Sequence, residues 1–232
     1  MSVQYAFGKI VTNGLVLALD AADRNSYVSG STTWFDLTGN NYTGSLTNGP
    51  VFNTGSGGNI VFDGANDYVL ITRPSQIVTS GSISISLWAK WTTVGTTIST
   101  IQALVDNNHS ASPRQGFVIQ DRPDLNKVLT FTVYPSAAGV SSSFQVGDGT
   151  WRHITGTHSA GTSSLYINGR LDGFLSEPNM ATVQPFISLG YWQNGPGRYL
   201  TGSIASLQVY NRVLTSQEVL QNYNAQKARF GL

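Results

Sequence analysis

Carboxylates, imidazoles and aromatic rings are the side chains from which this chain could build chemistry, because it has no cysteine. That absence removes thiolate nucleophiles, disulfides and thiolate metal sites together. Retaining hydrolysis of a glycosidic bond needs two carboxyl groups about 5 Å apart. Only two glutamates are present, Glu177 and Glu218. Glu177 precedes Pro178 in an apparent turn, and Glu218 follows Thr215 at the spacing of a helix capping box. Neither has an acidic partner at i+2, and no aspartate shows that alternation, so the sequence predicts that the chain is not an enzyme. His109, His153 and His158 have neither metal-ligand nor triad spacing. His153 and His158 differ in parity, so an unbulged strand sends them to opposite faces.

Asp63, Asn66 and Asp67 could offer oxygens to a calcium ion, the one cofactor the sequence suggests. The competing reading is a tight turn, with Gly64 at positive φ and aspartate oxygens on backbone N–H groups. Aromatic residues are the better candidates for ligand contact. Trp88 lies on the polar face of its strand. Tyr191, Trp192, Gln193, Asn194 and Arg198 cluster around Gly195-Pro196-Gly197. Together they could make a stacking platform for sugar rings, rimmed by hydrogen-bond donors. The competing reading is that a neighbouring loop covers Trp88 and that Tyr191 and Trp192 pack a sheet edge. Tyr, Trp and Arg also dominate protein–protein contacts, so a protein partner fits the same residues.

Short strands must position these groups. The stretch Ser82–Trp91 alternates strictly, with Ile83, Ile85, Leu87, Ala89 and Trp91 on one face and serines, Trp88 and Lys90 on the other, which predicts a half-buried strand. Similar patterns recur at Leu15–Leu19, Asn59–Phe62, Tyr68–Thr72, Gly116–Gln120, Val128–Tyr134, Ser143–Val146, His153–His158, Phe186–Leu189 and Gly202–Tyr210. Asn168-Gly169 reads as the type I′ turn of a hairpin. A single helix starts at the Thr215 cap, with Leu214 and Val219 as hydrophobic staple, and is expected to run to about Ala228. With 232 residues, 40% hydrophobic and 11% charged, the composition suits one large all-β domain. Residues 14–232 are assigned to that domain. Residues 1–13 form an N-terminal arm or edge strand, whose Val3, Tyr5 and Phe7 could add to a neighbour's sheet.

The formal net charge is +1 and no run of Lys or Arg occurs, so nucleic acid is not an expected partner. No apolar stretch approaches the ~20 residues of a membrane span, and no membrane association is expected. No coiled-coil heptad advertises a homo-oligomer, although none is excluded.

Several segments together resemble a known family. They are Gly14-Leu-Val-Leu-Ala-Leu-Asp-Ala-Ala, Trp34-Phe-Asp-Leu-Thr-Gly-Asn-Asn, Val61-Phe-Asp-Gly-Ala-Asn-Asp-Tyr-Val, the Ser86-Leu-Trp-Ala-Lys-Trp strand, Trp151-Arg-His-Ile, Leu165-Tyr-Ile-Asn-Gly and Gly202-Ser-Ile-Ala-Ser-Leu-Gln-Val-Tyr. In this order they resemble concanavalin A-like, laminin-G-like domains. The resemblance implies a jelly-roll sandwich of two antiparallel sheets with one short C-terminal helix. The glucanases of that fold carry a Glu-x-Asp-x-x-Glu strand, which this chain lacks. The segments Leu15–Asp23 and Asn222–Leu232 resemble stand-alone laminin-G-like proteins of tailed bacteriophages. That likeness implies a virion structural protein on the particle exterior, as capsid decoration or tail or fibre component, with other virion proteins as partners. The alternative is a lectin or carbohydrate-binding module that adheres to host-surface polysaccharide.

Overall fold

A computed structural model describes residues 9–72, 81–108, 114–126, 128–136, 138–180, 184–193 and 197–232. Sixteen strands, numbered along the chain, make two antiparallel sheets. The first sheet holds β1 (Leu15–Asp20), β4 (Val51–Asn53), β5 (Asn59–Asp63), β7 (Ile83–Thr92), β12 (Asp148–Ser159), β13 (Thr162–Ile167), β14 (Arg170–Ser176) and β16 (Thr201–Tyr210). Its order is β14-β13-β12-β7-β16-β5-β4, with β1 beside the second half of β16. The second sheet holds β2 (Thr33–Trp34), β3 (Gly44–Thr47), β6 (Tyr68–Thr72), β8 (Gln102–Asp106), β9 (Phe117–Arg122), β10 (Val128–Val133), β11 (Val140–Gln145) and β15 (Phe186–Leu189). Its order is β11-β10-β9-β8-β15-β6-β3-β2. Among the described residues, no helix is long and apolar enough to cross a membrane.

The main core lies between the sheets. Ile83, Ile85, Leu87, Ala89 and Trp91 of β7 enter it as the alternation predicts, facing Phe117, Ile119, Leu129, Phe131 and Val133 of the second sheet within one cluster. The other face of β7 differs from expectation, since Ser84, Ser86 and Trp88 are fully buried as well. The reason is the C-terminal segment, which lies over that face. Ser84 Oγ donates to the Arg212 carbonyl and accepts from the Leu214 N–H. The rings of Tyr223 and Phe230 stack on Trp88 with centroids 5.8 and 4.0 Å away. Small hydroxylated residues suit this face because they bury little volume and bond the covering segment.

That covering segment contains the single helix of the described residues, α1 (Ser216–Gln226), which continues as a 3-10 turn over Lys227–Phe230. It stops two residues short of the expected end. The capping box forms in full, with Glu218 N–H on Thr215 Oγ1 at 3.2 Å and Thr215 N–H on Glu218 Oε2 at 2.9 Å. Leu214 and Val219 pack with Val11, Tyr166 and Tyr210. The end of the chain is fixed by Arg229, which pairs with Asp20 at 2.7 Å and donates to the carbonyls of Ser56 and Gly58.

Lys9–Asn13 belongs to this same assembly. The Val11 N–H donates to Asn222 Oδ1 and the Val11 carbonyl accepts from the Tyr210 hydroxyl. Val3, Tyr5 and Phe7 lie outside the described residues.

Candidate functional site

The segment from Gly190 to Leu200 carries the chain from β15 in one sheet to β16 in the other. Two backbone bonds close its base, Gly190 N–H to the Leu104 carbonyl and Leu200 N–H to the Gly190 carbonyl. Tyr191 and Tyr199 form an isolated antiparallel bridge across it. This bridge aligns their rings, which stack with centroids 4.6 Å apart and planes 12° apart. Tyr68, from the start of β6, adds a third ring 5.4 Å from Tyr191. All three rings are half-buried, so each keeps some surface toward solvent. A small pocket of about 170 Å³ adjoins them, lined by Tyr199, Gly197, Thr201 and Gln102 among others.

Trp192 turns the other way. It is 6% exposed and packs with Ala103, Val118 and Tyr134, residues on the face of β8–β10 opposite the main core. Its Nε1 has no hydrogen-bond partner. The Arg198 guanidinium lies over its ring, its carbon 3.7 Å from the centroid, and that of Arg114 stands 5.8 Å from the same ring. Gln193 is held by its backbone, whose N–H donates to Asp106 Oδ2 at 3.1 Å. Asp106 is fully buried and also accepts from the Asn108 N–H. Burial pushes its carboxyl up to about 8, against the pull of those N–H groups and of Arg198. Asn194 lies outside the described residues.

The remaining candidates separate from this site. Trp88 is a correction: it is fully buried under Tyr223 and Phe230, so its ring offers no open face to a ligand. Asp63, Asn66 and Asp67 form the tight turn. Asp63 Oδ1 accepts from the Ala65 and Asn66 N–H groups, and Asp67 Oδ2 accepts from the Asp63 N–H. Those bonds commit one oxygen of each aspartate to the turn. Among the described residues, no group of three His, Asp or Glu converges on a metal position.

His153 and His158 do point to opposite faces. His153 sits beside Trp88 with Nε2 2.8 Å from Ser86 Oγ, and burial lowers its pKa to about 3. His158 Nδ1 is 2.9 Å from Ser163 Oγ, which donates to Glu177 Oε2 at 2.8 Å. The Met180 N–H donates to His158 Nε2, so the proton of this imidazole resides on Nδ1. All three side chains of this relay are buried, which closes it to a substrate in this conformation. His109 lies outside the described residues. Glu218 is held by Arg212 and the helix cap, which lower its pKa to about 2.

Sequence reasoning missed Tyr68, Tyr199, Arg114 and Asp106. Tyr199 had a local signal, since it follows Tyr191 by eight residues across a Gly-Pro-Gly stretch. The others come from strands and loops distant in sequence, and only the sheet order brings them together.

The arrangement agrees with the comparison of the chain with known families. The laminin G-type family described as the concanavalin A-like lectin/glucanases superfamily matches residues 63–220. The chain belongs to that superfamily. No curated protein matches it. Solved structures similar to this laminin G-type domain include the binding domain of Paraclostridial Mosquitocidal Protein 1, with 18% identity and a TM-score of 0.70. That likeness covers 91% of this chain and 52% of the toxin chain. A botulinum neurotoxin type C structure, whose cell entry depends on interaction with two ganglioside molecules, shares 17% identity at a TM-score of 0.71, covering 92% of this chain and 51% of its own. Trypanosoma rangeli sialidase in complex with sialic acid shares 13% identity at a TM-score of 0.72, covering 95% of this chain and 34% of its own. This domain therefore spans about half the length of the toxin chains and a third of the sialidase. At such identities the likeness shows the fold.

The sialidase likeness corrects the expectation that the chain is not an enzyme. Enzymes stand among the structures that share this fold over nearly the whole of this chain. The lack of a glutamate pair of glucanase type does not exclude other catalysis.

Proposed function

We propose that this laminin G-type domain is a glycan-binding module, with the Tyr68–Tyr191–Tyr199 stack and the neighbouring Arg198 as its contact surface. The observation that carries the reading is the bridged pair Tyr191 and Tyr199, whose stacked, half-exposed rings stand beside a small polar-edged pocket. A flat aromatic surface takes the apolar face of a pyranose ring, while the Thr201 hydroxyl at the pocket rim offers a hydrogen bond. Similar structures that engage gangliosides or sialic acid support the class of ligand.

A glycan array tests it. Reproducible binding of at least one oligosaccharide is expected, and Tyr191→Ala and Tyr199→Ala should each weaken it about tenfold, the effect of roughly 1.4 kcal/mol. Trp192→Ala is the poorer probe, because Trp192 also covers Ala103 and Val118. Binding unchanged in both tyrosine variants would reject the site.

The carrier we propose is the exterior of a tailed-phage particle, supported by the resemblance of Leu15–Asp23 and Asn222–Leu232 to stand-alone phage proteins. Quantitative mass spectrometry of purified particles tests this. Hundreds of copies would mark a capsid decoration, a handful would mark a tail component, and none would reject the location.

A further inference from the structure

Three arginines converge on the outer face of β8–β10 beside the aromatic stack. Arg122 ends β9, Arg114 precedes it, and Arg198 comes from the Gly190–Leu200 segment. Their counter-charges are uneven. Arg122 is held by Asp124 through two bonds, Nε to Oδ1 at 2.8 Å and Nη2 to Oδ2 at 2.7 Å. Arg114 donates only a long 3.5 Å bond to the Tyr134 hydroxyl, and Arg198 lies over Trp192. Among the described residues, neither is within ion-pair reach of a carboxylate. Asp106, the remaining acid near Arg198, is held largely protonated at neutral pH by burial. Arg198 is half-buried, and desolvation together with repulsion from Arg122 and Arg114 lowers its pKa. A half-buried guanidinium with two like charges for neighbours, whose nearby Asp124 is already paired with Arg122, gains from an anion that a ligand provides.

We infer that the glycan taken by this surface is acidic, and that Arg198 and Arg114 bind its carboxylate or sulfate beside the Tyr191–Tyr199 stack. This rests on the glycan-binding reading and sharpens it. Arg198 is placed to do so because it rests over Trp192, leaving its N–H groups to pair with two oxygens of one anion. The Tyr191 and Tyr199 rings, on the other side of the bridged pair, take the apolar face of another sugar of the same oligosaccharide. Selectivity and stacking thus come from separate residues.

The test is a glycan array on which uronic-acid, sialic-acid and sulfate-bearing oligosaccharides are each printed beside a neutral parent, at 50 and 500 mM salt. The expected result is at least tenfold stronger binding of one acidic member than of its neutral parent, weakening as salt rises. Arg198→Gln and Arg114→Gln should each remove most of that preference, and Arg198→Lys should keep part of it. Thermal melting of Arg198→Gln should show a cooperative transition, so that a lost preference reflects lost recognition and not unfolding. Equal binding of acidic and neutral members, or a preference untouched by Arg198→Gln, would overturn the inference while leaving the glycan-binding reading in place. Binding of no glycan at all would overturn both.

Discussion

Asp106 sits at the join between the fold and the surface assigned to ligand. Its side chain is fully buried, yet one oxygen accepts from the Gln193 N–H and so fixes the base of the loop that carries Trp192 and Arg198. The sign of its pH effect follows from its raised pKa. An acid at about 8 when folded and near 3.8 when unfolded contributes stability that is complete below pH 4 and is lost as pH rises toward 8. Between about pH 7.3 and 8 the histidines contribute little, because His153 and His158, both shifted below their usual value, raise stability with pH only around the unfolded pKa of about 6.5. Urea unfolding across that window should show stability falling by up to about 1.4 kcal/mol per pH unit. Asp106→Asn should flatten the profile, and parallel slopes for parent and variant would contradict the assignment. A second residue-scale prediction concerns Phe230, stacked on Trp88 at 4.0 Å. Phe230→Ala should lower stability by about 2 kcal/mol and shift tryptophan emission to longer wavelength as Trp88 is uncovered. An unshifted spectrum would mean that another group covers Trp88.

At the scale of elements, the Asn168-Gly169 turn joins β13 to β14 with φ of +51° and +78°, the pair of left-handed residues that its type requires. A Cβ on Gly169 would also meet Tyr223 Cβ at 3.0 Å, so the turn is wedged beneath α1. Gly169→Val should cost more than about 1 kcal/mol, from backbone strain and from displacement of the helix, read as a lower Tm. Such turn and cap signals were legible in the sequence because each depends on neighbours a few residues away. Strands with one apolar face were legible too, as Tyr68–Thr72 and Phe186–Leu189 match their expected bounds. Strand β8 was not, because all five of its residues are buried and Gln102-Ala-Leu-Val-Asp shows no alternation. Strands β2, β3 and β4 are two to four residues long, too short for a period to register. Trp88 was misread for a related reason. Its serine neighbours look solvent-facing until a helix more than a hundred residues away covers them.

At the scale of the whole molecule, the two sheets and the C-terminal cover leave the connections between them to carry function. The Gly190–Leu200 crossover is one such connection, and its position over β8–β10 depends on strand pairs far apart in sequence, such as β8 with β15. The aromatic half of the candidate site was therefore partly readable, as Tyr191, Trp192 and Arg198 lie within eight residues of one another. Its cationic and buried partners, Arg114 and Asp106, were not. Two other concavities compete for a ligand on purely geometric grounds. One is a groove of about 540 Å³ lined by Tyr27, Leu46 and Phe52, the other one of about 620 Å³ beside Leu171, Leu220 and Tyr223. Neither sets stacked, half-exposed rings beside unpaired guanidinium groups. The most direct test is a crystal structure of the domain with an oligosaccharide selected on the array. The account predicts a sugar ring against Tyr191 and Tyr199, with the acidic group of the same oligosaccharide at Arg198; a sugar seated instead in either groove, with the tyrosine stack bare, would contradict it.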